Sequence, residues 1–317
     1  MAFKITSEYD EDLQILQLAD LSSGIQAQIL PIAGAMLHKF SIPCDNRRIQ
    51  IMNSYKNLAD FQKNHPSTYK SAKLSPFVCR ILDGKYTFEN NAYEFLKKFP
   101  DGNAIHGVVS DKPFKIVDKS EQPDQASVTL EYLYNQDDAG FPFNYTIHVK
   151  YTLKTSGRLS LETTVKNTSS GPIPMADGWH PYFSLEGLVD NWTLSFRSKK
   201  NVAFNERLIP TGDFIDSDGF YSPKLIGDEF FDHCFYLEPA DDLASVVLEN
   251  PKTGLRLSFF PDENYRYLQI YTPPDRKSIA IENLSAAPDS FNNSMGLIVL
   301  SPGDSQSFTV VYKLDFA

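Results

Sequence analysis

Hydrophobic and polar residues alternate with a period of two along much of the chain. Every second residue from Tyr145 to Leu153 is apolar, and after the turn-like sequence KTSGR the alternation resumes from Leu159 to Val165. In a β-strand this period places one set of side chains on a buried face and the other set in water. The segment therefore predicts an antiparallel hairpin. His148 falls on the water-facing side, among Lys and Thr residues, and we interpret it as an exposed strand residue.

The same alternation recurs in further short segments that are separated by Gly, Pro and Asn residues. These segments are ASVTLEYLY, NWTLSFR, ASVVLENPKTGLRLSFF, YRYLQIY and SFTVVYKL. A helical period is indicated only in SYKNLADFQKN, which precedes Pro66. Many short strands between turn residues are typical of an all-β fold, here a large antiparallel β-sandwich with few short helices. No repeat, linker or change of composition divides the chain, so we expect a single domain over residues 1–317.

Charge and composition restrict the classes of partner. The formal net charge is −10 and the longest basic runs are pairs of residues, so a phosphate backbone would be repelled. No segment has the run of apolar residues that a signal peptide or a membrane span requires. The three cysteines, Cys44, Cys79 and Cys234, are scattered and form no Cys-x-x-Cys pair. We therefore expect a cytoplasmic protein with reduced thiols, without a metal site and without a nucleic-acid or membrane partner.

Five polar residues lie inside otherwise apolar or turn-bounded stretches and are candidates for chemistry. A histidine among aromatic residues is more often a hydrogen-bonded core residue than a catalyst, and an arginine beside Val and Ile can extend to the surface. A glutamate that ends an apolar strand can simply meet water. Each candidate therefore has a structural alternative. The five are Arg80 in SPFVCRILDGKY, His106 in GNAIHGVVS, His180 in DGWHPYFSL, Asp232 in EFFDHCFYL and Glu282 in SIAIENLSAAPDS.

Taken together, these residues fit general acid–base chemistry. Glu282 follows three apolar residues, and a carboxylate beside apolar walls has a raised pKa, which suits a general base. His106 lies between apolar residues beside Gly107, and a histidine that titrates near neutral pH can act as the matching acid. Such a pair opens a hemiacetal: the base removes the proton of the anomeric hydroxyl while the acid protonates the ring oxygen. The aldehyde then rotates and the ring closes on its other face, which requires no cofactor, metal or covalent intermediate.

The order of five motifs resembles that of the aldose 1-epimerases, also called galactose mutarotases. The resemblance extends from about a quarter of the way along the chain to near its end. It implies the galactose mutarotase-like supersandwich, a monosaccharide substrate and a cofactor-independent isomerase that interconverts anomers. The motifs are Arg80, IHG, WHPYF, FDHCF, and IEN followed by APDSFNN.

The resemblance also implies a role for each of the five residues. Glu282 matches the general base of the family, and His180 matches the general acid that protonates the ring oxygen. His106 matches a second pocket histidine, which hydrogen-bonds the sugar and helps to polarise it. Arg80 and Asp232 match residues that hold sugar hydroxyls.

Four neighbours of these residues depart from the family pattern. Trp179 and Cys79 stand where the family commonly has Asn, Val108 replaces the second Gly after the first histidine, and Asn283 replaces Pro. Trp179 offers a flat face for a sugar ring or packs into the core, and we include it among the substrate-binding candidates. The departures keep the acid and the base and leave the identity of the sugar open.

Two other functions remain open from the sequence. One is an epimerase of a phosphorylated hexose, which needs cations at the mouth of the pocket; Lys73, Lys97 and Lys98 are candidates. The other is a carbohydrate-binding protein that keeps the pocket without turnover. The preferred anomer and the oligomeric state are unknown from the sequence.

Overall fold

The computed structural model describes residues 2–10 and 13–317. Within these residues most regular elements are antiparallel β-strands. The first ten strands are β1 Phe3–Asp10, β2 Leu13–Asp20, β3 Gln26–Leu30, β4 Met36–Cys44, β5 Arg47–Gln50, β6 Ala72–Leu74, β7 Arg80–Ile81, β8 Lys85–Phe88, β9 Asn91–Glu94 and β10 Ala104–Ile105. The next nine are β11 Lys115–Glu121, β12 Gln125–Asn135, β13 Asn144–Lys154, β14 Arg158–Asn167, β15 Ile173–Met175, β16 Gly178–His180, β17 Tyr182–Phe183, β18 Thr193–Phe196 and β19 Lys200–Phe204. The last nine are β20 Pro210–Asp216, β21 Lys224–Leu225, β22 Asp232–Tyr236, β23 Val246–Asn250, β24 Leu255–Pro261, β25 Tyr267–Tyr271, β26 Ile279–Leu284, β27 Ile298–Leu300 and β28 Ser305–Phe316.

A nine-stranded antiparallel sheet contains the longest strands, in the order β11-β12-β13-β14-β28-β24-β23-β18-β21. The hairpin predicted from the alternation is formed by β13 and β14, which pair in continuous antiparallel register. On β13 the apolar set from Tyr145 to Leu153 is buried. His148 is partly exposed, and its Nε2 lies 3.0 Å from Glu131 Oε2 on the neighbouring strand. This partial exposure agrees with the interpretation of His148 as a strand residue on the surface.

An eight-stranded sheet packs against the nine-stranded sheet. Its strand order is β20-β19-β22-β25-β26-β16-β6, and β17 also pairs with β26. The two sheets share one apolar core, in which the ring of Phe183 on β17 lies 5.2 Å from Phe259 on β24 and 5.6 Å from Tyr312 on β28. A five-stranded sheet, β1 to β5, adds its buried face to the same core. The predicted all-β sandwich is confirmed, and the single domain over residues 1–317 stays a prediction.

The helix predicted before Pro66 is present, but it extends further along the chain. Helix α1 is Leu58–Thr68, and Pro66 lies inside its last turn, where it removes one backbone N–H donor. This turn persists because His65 is buried and anchored on both sides of its ring. Its Nδ1 lies 2.9 Å from the hydroxyl of Tyr55, and its Nε2 lies 3.1 Å from the hydroxyl of Ser110.

The second helix, α2 (Ser290–Asn293), is a single turn that packs against β7 and β8. No helix among the described residues is long and apolar enough to cross a membrane. Cys44, Cys79 and Cys234 are all free thiols. Cys79 and Cys234 are buried within the same small apolar cluster.

Candidate active site

A cavity of about 410 Å³ opens on the face of the eight-stranded sheet that points away from the core. Residues that are far apart in the sequence converge on it, because β16, β22, β25 and β26 are neighbours in this sheet. Five of the six predicted site residues line the cavity. They are Arg80, His106, His180, Asp232 and Glu282.

The register between β16 and β26 brings His180 and Glu282 together. Gly178 pairs with Leu284, so the antiparallel register continues to place His180 opposite Glu282. Directly opposed residues point to the same face of a sheet. His180 Nε2 lies 3.3 Å from Glu282 Oε1, and both residues are buried. The histidine and the glutamate are therefore placed side by side on the floor of the cavity.

His106 reaches the cavity from a strained loop after β10. Its backbone is left-handed (φ 59°), as is that of Gly107 (φ 73°). A Cβ atom at position 107 would lie 2.3 Å from the carbonyl oxygen of Ser75, so only glycine fits there. The His106 N–H donates to the carbonyl oxygen of Cys79 (2.8 Å), and the His106 ring lies 4.8 Å from the His180 ring at 87°. The tight turn directs His106 edge-on towards His180.

Burial controls the protonation of these three groups. Burial lowers the pKa of His180 to about 4. Burial also lowers the pKa of His106 well below its usual value, and the neighbouring His180 lowers it further. Burial also raises the pKa of Glu282; Asp232 raises it further and Arg80 opposes the rise. Both imidazoles are therefore neutral at neutral pH, while Glu282 binds a proton more tightly than an ordinary carboxyl. A proton held by His180 and Glu282 belongs to the pair, and the 3.3 Å between them permits its transfer.

Several polar atoms in the cavity wall have no hydrogen-bond partner among the described residues. They include Arg80 Nε, Gln269 Oε1, Glu282 Oε2 and the Nδ1 atoms of both site histidines. Asp232 is held in place because its Oδ1 accepts a hydrogen bond from Gln269 Nε2 (3.0 Å). Burial raises the pKa of Asp232, and Arg80 opposes this rise. Buried polar groups are normally paired, so these unpaired atoms mark a polar lining of the cavity, which suits a ligand rich in hydroxyls.

Several residues that complete the cavity wall were not predicted from the sequence. Gln269 pairs with Glu282 between β25 and β26, and the ring of Tyr182 stacks on His180 at 5.0 Å. Lys70 lines the mouth and donates to Asn53 Oδ1 (2.9 Å). A sequence signal existed for Gln269, which is the one polar residue on the otherwise aromatic face of YRYLQIY. Lys70 and Asn53 lie in loops and carry no comparable pattern.

Trp179 lies in the core, so its interpretation as a substrate-binding residue is corrected. It is 2% exposed, and its ring lies 6.2 Å from Tyr151 of the nine-stranded sheet. The reason is the alternation along β16: when His180 points into the cavity, Trp179 must point to the opposite face. Lys73 pairs with Trp179 in the neighbouring strand β6 and is fully buried. Its interpretation as a cation at the pocket mouth is therefore wrong.

The other two candidate cations form ion pairs outside the cavity wall. Lys98 pairs with Glu94, and Lys97 Nζ lies 3.4 Å from Asp111 Oδ2. Lys97 approaches the site only through Tyr69, whose ring centre is 5.7 Å from its Nζ. The three lysines therefore do not converge on a phosphate position.

The possible ligand atoms of His106, His180 and Glu282 lie within 4.8 Å of one another. Among the described residues, this group is therefore the candidate for binding a metal ion. Two histidines and a carboxylate are a known zinc ligand set. Here His180 Nε2 and Glu282 Oε1 are in direct contact at 3.3 Å. The arrangement suits proton exchange between the two residues directly, and we assign no step to a metal.

Comparison with protein-family models identifies one family. A family model described as aldose 1-epimerase matches residues 17–313. The uncharacterized protein YihR of Escherichia coli (strain K12) is 26% identical over 246 residues, which cover 75% of this chain and 77% of that protein.

Solved structures with the same fold cover nearly the whole chain. A galactose mutarotase-like protein from Clostridium acetobutylicum superposes with a TM-score of 0.89 at 22% identity, covering 100% of this chain and 99% of that one. The GalM/aldose epimerase homologue from C. elegans gives a TM-score of 0.82 at 19% identity with 100% of both chains covered. The galactose 1-epimerase from Lactobacillus acidophilus NCFM gives 0.82 at 19% identity, covering 99% of each. These likenesses confirm the galactose mutarotase-like sandwich that the motifs predicted.

Proposed function

Since the chain belongs to the aldose 1-epimerase family, we propose that it interconverts the α and β anomers of a free aldose. The observation that carries this proposal is the approach of His180 Nε2 to within 3.3 Å of Glu282 Oε1 on the floor of the cavity. The anomeric oxygen and the ring oxygen of an aldose are attached to the same carbon. Two proton-transfer groups this close together can therefore reach both oxygens of one bound sugar.

The reaction that fits this geometry moves two protons and breaks one bond. Glu282 accepts the proton of the anomeric hydroxyl, the electron pair forms the carbonyl, and the bond from the anomeric carbon to the ring oxygen breaks. His180 donates a proton to that ring oxygen as it leaves. After rotation of the aldehyde, the ring hydroxyl attacks the other face of the carbonyl, and both protons return to their starting groups. The reacting form is the one in which the shared proton of the pair lies on His180 and Glu282 is ionised. Transfer of that proton from Glu282 to His180 across the 3.3 Å contact provides this form without a change in the total number of protons.

The remaining polar residues hold the sugar. The Arg80 side chain supplies donors and Asp232 supplies acceptors for sugar hydroxyls, and Gln269 fixes the orientation of Asp232. His106 is neutral because of its burial, so its ring offers one donor and one acceptor. Beside His180, this ring is placed to hydrogen-bond a hydroxyl next to the reacting carbon.

The first test is polarimetry on freshly dissolved α-anomers of a panel of aldoses, with phosphorylated hexoses included. We expect wild type to speed the equilibration of at least one sugar. Glu282→Gln and His180→Asn should each lower kcat by about 10²- to 10⁴-fold, because each removes one proton-transfer group. Calorimetric titration with the same sugar should show that both variants still bind it.

The outcomes separate three functions. Unchanged turnover in E282Q would remove Glu282 from the mechanism. Sugar binding by wild type without faster mutarotation would favour a carbohydrate-binding protein with the same pocket. A response limited to phosphorylated hexoses would favour an epimerase of that substrate class, and Lys70 would then be the cation to replace, since it lines the cavity mouth.

A further inference from the structure

A lysine and an aspartate form an ion pair deep inside the sandwich, directly behind the candidate active site. Lys73 and Asp177 are both 0% exposed, and Lys73 Nζ lies 2.6 Å from Asp177 Oδ1. The ammonium group also donates to the carbonyl oxygen of Gly178 (3.2 Å) and lies 4.4 Å from the ring centre of Trp179. Asp177 Oδ1 accepts a second hydrogen bond from the hydroxyl of Tyr265 (2.7 Å).

Fold stability alone does not explain this pair. Removing two charges from water is expensive, and replacing a buried ion pair by apolar residues of similar volume is often neutral or stabilising. Burial lowers the pKa of Lys73 to about 8 against the opposing effect of Asp177, and it raises the pKa of Asp177. The surroundings penalise both charges even though they are paired. Such a pair is better explained by the arrangement that it imposes on its neighbours.

The ion pair joins the strands that carry the acid and the base. Lys73 is on β6. Its partner Gly178 is the first residue of β16, and Asp177 immediately precedes that strand, three residues before His180. The Asp177 N–H donates to the hydroxyl of Ser285 (2.8 Å), and the Ser285 N–H donates to the Asp177 carbonyl oxygen (2.8 Å). Ser285 follows β26, the strand of Glu282, so Asp177 is tied to both neighbouring strands at once.

These three strands therefore carry the ion pair on their inner face and the candidate catalytic residues on their cavity face. Lys73 on β6 and Trp179 on β16 point inwards. His180, the next residue on β16, and Glu282 on β26 point into the cavity. A shift of β16 relative to β26 would change the 3.3 Å between His180 Nε2 and Glu282 Oε1 directly. We infer that Lys73 and Asp177 are positioning residues, which hold β16 against β26 so that His180 and Glu282 stay within proton-transfer distance.

This inference rests on the proposed function only for its kinetic test, so the experiment also uses a readout that does not need turnover. The variants are Lys73→Met, Asp177→Leu and the double variant K73M/D177L, which leaves no unpaired buried charge. The matched control is R256M/D315L. It removes a partly exposed ion pair (3.2 Å) between two neighbouring strands of the nine-stranded sheet, outside the cavity wall, together with the contact of Asp315 with Lys313 (2.5 Å).

We expect K73M/D177L to fold with the thermal midpoint of wild type or above it, while kcat falls at least about tenfold and KM changes little, since small misplacements of reacting groups are costly. The imidazole ¹⁵N and ¹H signals of His180 should shift, and they can be assigned because the chain has six histidines. In R256M/D315L both kcat and the His180 signals should match wild type.

Wild-type kcat and wild-type His180 signals in the folded double variant would overturn the inference. A lower kcat with unshifted His180 signals would also overturn it. If the double variant does not fold, Tyr265→Phe tests the same point with the loss of one hydroxyl; unshifted His180 signals in folded Y265F would contradict positioning. If wild type converts no sugar, the proposed function fails, and the His180 signals still decide between positioning and a purely structural pair.

Discussion

The two large sheets of the sandwich differ in regularity. The nine-stranded sheet contains strands of 10 to 12 residues, such as β14 and β28, whose buried faces are mostly apolar. In the eight-stranded sheet, β6 and β16 have three residues each, and every one of their residues is buried. Charged and polar side chains are buried there on both faces. The long strands provide a continuous apolar surface for packing, and the short strands carry residues of the candidate active site.

The two sheets should therefore respond differently to substitution. A substitution in the nine-stranded sheet should change the free energy of unfolding and spare the reaction. A substitution on the cavity face of the eight-stranded sheet should do the reverse, as we expect for E282Q.

Leu161→Ala on β14 should lower the free energy of unfolding by about 2–5 kcal/mol, because it leaves a space in a tightly packed core. Leu161 is 1% exposed and pairs with Tyr151 and Val310 on the flanking strands. The kcat of the folded variant should equal that of wild type. Denaturant unfolding and polarimetry measure the two quantities.

The control for Leu161 is Leu133→Ala, which removes the same atoms from a side chain that is 59% exposed on the same sheet. It should change the free energy of unfolding by less than about 0.5 kcal/mol. A marked loss of kcat in folded L161A would contradict the separation of the two sheets.

Acid should destabilise the protein through its buried histidines, which lie outside the nine-stranded sheet. Burial lowers the pKa values of His38, His65 and His180 to about 4. Below the ordinary value of about 6.5 the unfolded chain binds more protons at these groups than the folded chain. Their contribution to stability therefore falls as the pH decreases from about 6.5 towards 4, and above 6.5 they add no pH dependence. Carboxyls with raised pKa values, such as that of Asp262 (about 6), act in the opposite direction.

His65→Gln isolates one histidine from these opposing effects. The free energy of unfolding of wild type minus that of H65Q should be about 2 kcal/mol smaller at pH 5 than at pH 7, because only wild type carries the titrating imidazole. Denaturant melts of both proteins at the two pH values give this difference. An equal difference at both values would show that His65 titrates in the folded protein as it does in the unfolded chain.

Asp232→Asn should weaken substrate binding with a smaller effect on the chemical step. The amide keeps the shape but loses the charge that strengthens hydrogen bonds to sugar hydroxyls, so KM should rise about tenfold, equivalent to 1.4 kcal/mol. Steady-state polarimetry measures KM and kcat separately. Asp213→Asn, exposed on β20 of the same sheet, is the control and should match wild type. A wild-type KM in D232N would place Asp232 outside the sugar contacts.

The sequence was sufficient to predict the regular part of the fold. The alternation from Tyr145 to Leu153 corresponds to a strand with one buried face, so the β13–β14 hairpin could be predicted residue by residue. The end of α1 could not, because burial of His65 keeps the last turn despite Pro66. Tertiary packing decided that boundary, and the local sequence does not contain it.

The candidate site was predictable from its motifs, but the side-chain directions were not. In β6 and β16 both faces are buried, so the hydrophobic pattern has no period from which to read which face meets the cavity. Trp179 and Lys73 were misplaced for this reason. The strand register that joins His180 to Glu282 likewise depends on contacts between segments far apart in the chain.

The glycine after His106 limits how this pocket can evolve. A side chain at Gly107 would collide with the Ser75 backbone, so a saturation library at this codon should return glycine alone among active clones. Substitutions that change the substrate range are easier to accommodate at Lys70 and Asn53, whose side chains are held by hydrogen bonds to each other and to Ser278. Within this pocket, position 107 is therefore closed to substitution, whereas positions 53 and 70 can vary.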